Sequence, residues 1–152
     1  VLRQERESRV DNILVHQIGG QQQRGGEEPG DALLSFLEFL DGSIAVAFRA
    51  EFDSTVLRRE LHGRLGIRAR LRFLDLAGVL PALFPGTPND TLDDWAGHFG
   101  LPPVGRHQAI ADAYTNAQLL LVALERSQRL GLRTAGDLLD LERSQRWLGR
   151  RR

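Results

Sequence analysis

Two stretches of this 152-residue chain carry residue types that could do chemistry. In the first, the apolar run 44–48 is followed by Arg49, Phe52 and Asp53. Open α/β sheets put their sites just beyond the carboxyl ends of strands, and Asp53 falls at such an end. The same aspartate could instead cap the helix that follows, a common role for this residue type. In the second stretch, His107 stands at the mouth of a long helical pattern and Asp112 about a turn and a half inside it. Ala109, Ala111, Ala113 and Ala117 are small enough to let that helix approach a sheet closely. An aspartate among them is costly to bury unless a cation or hydrogen bonds meet it. The alternative is a solvent-facing aspartate beside a loop histidine. His16, His62 and His98 have no carboxylate pattern beside them and read as structural or surface residues.

The elements that must position these residues follow from periodicity and punctuation. Residues 1–11 form a polar lead-in, 13–18 a short apolar stretch, and the Gly19-Gly20, glutamine and Gly25-Gly26 segment a loop. Pro29-Gly30-Asp31 opens a helix carried by Leu33, Leu34, Phe36, Leu37 and Leu40, and Asp41-Gly42 stops it. The run 44–48, rich in β-branched residues, predicts a buried strand. Phe52, Val56, Leu57, Leu61 and Leu65 mark a helix that ends at Gly66. Arg68, Arg70 and Arg72 alternate with apolar residues up to Leu74, a weak strand signal. A short helix spans 75–83, and Thr91-x-x-Asp94 begins another as a capping-box variant. Pro102, Pro103 and Gly105 make a turn before a long helix over 108–130 with Gly131 behind it. Thr134-x-x-Asp137 begins the last helix, and 148–152 form a basic tail. One domain covers 1–152.

Composition narrows the classes. With 41% hydrophobic residues the chain can bury a core of its own. The absence of cysteine rules out a disulfide framework, a zinc ribbon and a thiol nucleophile. Twenty basic residues against twenty acidic ones argue against binding nucleic acid through a broad basic surface, while leaving room for a focused phosphate site. No apolar run is long enough for a membrane span and no signal-peptide pattern opens the chain, so a cytoplasmic location is expected. One convincing strand is too few, because a lone strand cannot satisfy its own backbone groups. Its partner is expected from a missing segment, a second copy, or a short strand around 70–74.

Taken together, Phe48-x-Ala50-x-Phe52-Asp53 and Arg106-His107-x-Ala109-x-x-Asp112-Ala113 resemble motifs II and III of the DnaQ-like, DEDDh-type 3′–5′ exonucleases. Residues 13–19 resemble the segment that precedes them in that family, and 34–40 the helix before motif II. The resemblance covers residues 10–130, with His-x-x-x-x-Asp-Ala its most specific element. It implies an α/β, helix-rich, ribonuclease H-like fold and two-metal hydrolysis of single-stranded nucleic acid from its 3′ ends. Asp53 and Asp112 would be ligands of Mg²⁺ or Mn²⁺, and His107 the general base, a role suited to its near-neutral pKa. Arg49 and Phe52 would contact substrate.

The family's motif I, an Asp-x-Glu at the end of the first strand, has no counterpart here. Glu5 and Glu7 lie in a charged segment rather than at a strand end. Phe48-Arg49 also stands where motif II commonly has a histidine-asparagine pair. The missing motif, the shortage of strands and the absence of methionine share one explanation, a chain that starts after the family's N-terminal hairpin. On that account the two ions bind weakly or not at all, and this chain is expected to be inactive. A non-catalytic relative serving as a nucleic-acid-binding or protein-interaction module is the alternative. In an unrelated helical interaction domain, Asp53 and His107 would lie far apart.

Overall fold

The computed structural model describes residues 1–4, 8–102 and 108–149. Its N-terminal part is built from three helices, α1 (Val10–His16), α2 (Gly20–Arg24) and α3 (Pro29–Leu40). The glycine- and glutamine-rich segment expected as a loop is therefore helical. Its side chains supply the partners that its composition otherwise lacks. Gln22 Oε1 accepts the Gly19 N–H at 3.0 Å. Gln23, only 2% exposed, accepts the Ser8 N–H at 3.0 Å and donates to the Ile18 carbonyl at 2.7 Å. The polar lead-in is also tied down, since Arg3 N–H donates to the Glu27 carbonyl and Glu27 N–H to the Val1 carbonyl. A Cβ on Gly26 would lie 2.6 Å from the Leu2 backbone, so only glycine allows this approach.

Proline at the first turn starts α3, where its missing N–H costs nothing. Asp41 (φ 39°) and Gly42 (φ 73°) end it in the left-handed region. The chain then enters β1 (Ile44–Ala47), crosses through α4 (Ala50–Leu65), and returns as β2 (Arg72–Asp75) in parallel with β1. Ile44 pairs with Arg72 and Ala47 with Asp75. One partner of β1 thus comes from this chain, at the short strand expected around 70–74. It is a four-residue strand, because the alternating arginines before Arg72 stay outside the ladder.

Helices α5 (Leu76–Leu83), α6 (Leu92–His98), α7 (Ala109–Arg129) and α8 (Ala135–Gly149) complete the fold. Leu76, Val79, Leu80 and Leu83 are all buried, so α5 lies at the centre of the core with Trp95, Leu119 and Leu138 around it. Phe84, Trp95 and Phe99 form an aromatic cluster, with the Phe84 and Phe99 rings 4.9 Å apart edge to face. Ile44, Val46 and Leu74 face Leu120 and Leu124 of α7 and Leu138 of α8. This leaves the other side of the two strands to the crossover helix α4. The expected capping box of Thr91 with Asp94 forms, and Thr134 with Asp137 makes the same reciprocal pair at the start of α8. Because α8 continues to Gly149, the tail expected from residue 148 begins as helix. No helix among the described residues is long and apolar enough to cross a membrane.

Candidate active site

At the end of β1 the chain must turn sharply to begin α4. Arg49 makes the turn in the left-handed region (φ 60°, ψ 47°), where a residue with a Cβ is disfavoured. Its backbone N–H donates to Asp75 Oδ1 at 2.8 Å, and its guanidinium donates to the Asp90 carbonyl at 3.1 Å. The turn buries Ala50, which is 1% exposed, and puts Asp53 on the first turn of α4. Partial burial raises the Asp53 pKa above the ordinary aspartate value. The like charge of Asp75 adds to this, and a hydrogen bond from its own backbone N–H opposes it.

The opposite wall comes from α7. Its Ala111, Thr115 and Leu119 point inward, which turns Asp112, Ala113 and Asn116 toward the β1–α4 junction. Asn116 Nδ2 donates to the backbone carbonyl of Asp112 one turn earlier at 2.8 Å, which leaves the Asp112 carboxylate outside that bond. Thr91, Leu92, Ala96 and Gly97 of α6 and its cap close a third side. The resulting cleft encloses about 1000 Å³ and is lined by Asp53 and Asp112 together with Phe48, Arg49 and Phe52. Phe52 is 74% exposed, so its ring is available to a ligand.

Four of the five residues singled out in the sequence therefore share one cleft. The fifth, His107, lies outside the described residues, as do Glu5 and Glu7. In the chain His107 directly precedes Gln108, the N-cap of α7. Among the described residues no group of three or more histidines and carboxylates is placed to hold a metal ion. Three aspartates line the cleft, Asp53, Asp93 and Asp112, and the sequence singled out the first and the last of them. That suits a hard dication of the Mg²⁺ type, which keeps several waters and is held by one or two carboxylates plus substrate phosphates. Asp75 was missed in the sequence. Its only signal was its position, an aspartate directly between a strand and an apolar helix.

Residues 4–120 match the RNase T exonuclease family. The chain belongs to that family, and it is DnaQ-like. Its helix-rich α/β fold with a short parallel sheet is consistent with the family's ribonuclease H-like arrangement. It is 28% identical over 108 residues to a PolC-type DNA polymerase III of Caldanaerobacter subterraneus subsp. tengcongensis, covering 71% of this chain and 8% of the relative. PolC-type DNA polymerases III of Thermotoga petrophila and Thermotoga maritima are each 29% identical over 112 residues, covering 74% of this chain and 8% of their own length. The chain thus spans about 8% of the length of these curated relatives.

Proposed function

We propose that the cleft hydrolyses phosphodiester bonds at the 3′ ends of single-stranded nucleic acid, with Asp53 and Asp112 as metal-binding carboxylates and His107 as general base. The observation that carries this reading is the convergence of Asp53 and Asp112 on one cleft, in a chain of the exonuclease family. Asp53 and Asp112 would hold divalent ions, Mg²⁺ or Mn²⁺, which when bound would supply charge neutralisation for an in-line displacement at phosphorus. Two carboxylates bind such ions weakly until substrate phosphates join them, so the chain's own activity is low or unmeasurable.

The remaining roles belong to side chains. His107 takes the proton of the attacking water. Arg49 has guanidinium N–H groups beyond the one given to Asp90, and these are free to fork onto a phosphate. Phe52 offers a face on which a terminal base stacks, an interaction worth about 1–3 kcal/mol per base. The PolC-type relatives are polymerases, which makes a growing or mispaired DNA end the proposed substrate.

The test is nucleotide release from a 3′-labelled oligonucleotide with Mn²⁺, against an EDTA control. It is run on this chain and on a longer one carrying an upstream strand that ends in Asp-x-Glu. The expected result is metal-dependent release by the longer chain, lost in Asp53→Asn and Asp112→Asn and cut roughly 10²–10⁴-fold in His107→Ala. The second reading, a non-catalytic binding module, is favoured by the lack of a three-group metal cluster among the described residues. Oligonucleotide binding without release from either chain would establish it.

A further inference from the structure

Asp75 ends β2 and caps α5, yet one of its oxygens does two jobs. Oδ1 accepts the Ala77 N–H at 3.0 Å, which is the ordinary cap. The same atom accepts the Arg49 N–H at 2.8 Å, a bond that α5 does not need. The parallel register explains the reach, since Asp75 pairs with Ala47, two residues before Arg49. The carboxylate is itself held from behind. Its side chain is 13% exposed, and Oδ2 lies 4.0 Å from Nη2 of Arg146 on α8. Arg146 also pairs with Glu142, whose side chain is 4% exposed against α5. A Cβ on Gly78 would come within 3.0 Å of Glu142 Cγ, so α5 leaves that space open at a glycine. Helix α8 lies beyond the family-matched residues 4–120.

We infer that Asp75 is a positioning residue of the candidate active site. It holds Arg49 in the left-handed turn that sets Asp53 on the cleft, and Arg146 of α8 holds Asp75 in turn. This inference rests on the proposed role of the cleft, but its first test does not. Amide hydrogen exchange at the Arg49 N–H reads the bond directly. Asp75→Ala should accelerate exchange by about tenfold or more, as expected for losing a charge-assisted bond. Asp75→Asn keeps an acceptor oxygen and should stay near the parent rate. Arg146→Gln, which leaves the α5 cap intact, should accelerate exchange by a few-fold and decides the matter if Asp75→Ala does not fold. Exchange within twofold of the parent in every folded variant overturns the inference.

Nucleotide release gives the second readout. Asp75→Ala should lower kcat, and Asp75→Asn, which keeps an acceptor oxygen for the Arg49 N–H and leaves the Arg49 side chain in place, should restore it. A residue that only capped α5 would leave exchange at the Arg49 N–H unchanged, so lost release in Asp75→Ala without faster Arg49 exchange also counts against the inference. If the parent releases no nucleotide in either chain length, the functional reading fails while the exchange data still decide the positioning role.

Discussion

Replacing Asp53 with asparagine separates a carboxylate kept for binding from one kept for structure. Two influences act on its charge in the folded chain. The N-terminus of α4 and the backbone N–H of Asp53 favour the ionised form, typically by about 0.3–1 kcal/mol. Partial burial and the charge of Asp75 disfavour it, and they prevail, because the pKa is raised from 3.8. Most of the side chain remains solvated, so the net penalty is screened to the scale of a surface interaction, at most about 1 kcal/mol. In EDTA at neutral pH, Asp53→Asn should therefore stabilise the chain by a few tenths of a kcal/mol and raise Tm by about 1–2 °C for a domain of this size. The sign reverses what a helix cap would give. A carboxyl group whose folded pKa is raised binds its proton more tightly when folded. Its contribution to stability falls as pH rises from 3.8 through the folded value. The advantage of the asparagine variant should thus vanish in acid and be complete at neutral pH. Mn²⁺ at ten times its Kd should stabilise the parent by about 1.4 kcal/mol and the variant much less. Thermal melts across pH, with EDTA and with Mn²⁺, measure all three effects. A drop in Tm on substitution in EDTA would refute the reasoning and assign the Asp53 charge to stabilising the first turn of α4, and equal Mn²⁺ shifts in both chains would remove it from the metal site.

Trp95, fully buried against Phe84 and Phe99, should cost about 3–5 kcal/mol when cut to alanine, read from urea melts with an unchanged m-value. Asp94 and Asp137 are held below the usual aspartate pKa by hydrogen bonds from Thr91 and Thr134. Their contribution is present above 3.8 and lost as pH falls through the depressed folded values, so Asp94→Asn and Asp137→Asn should destabilise at neutral pH and have no effect in strong acid. Acid melts in which the variants still trail the parent would contradict that assignment. Gly26→Ala drives a methyl group into the Leu2 backbone and should release the N-terminal segment, seen as faster tryptic cleavage after Arg3 with little change in Tm.

What the sequence determined by itself was local. Helix stops at Asp41-Gly42, Gly66 and Gly131 require positive φ, and the capping boxes at Thr91 and Thr134 close within three residues. Their partners are neighbours in the chain, so composition and spacing suffice to find them. Strand β1 was legible for the same reason, as was the motif pattern around Asp53 and Asp112. Tertiary structure decided everything that joins distant residues. The glutamine segment became helix α2 because Gln23 finds partners at Ser8 and Ile18, on the far side of a turn. The partner of β1 emerged from a stretch whose alternating arginines gave only a weak strand signal. Asp75, unremarkable in sequence, gained its second bond only because the parallel register brings it beside Arg49. Asp53 and Asp112 line one cleft only because α7 turns its small-residue face toward the sheet. Such contacts depend on how elements pack, and no spacing rule within a single element encodes them.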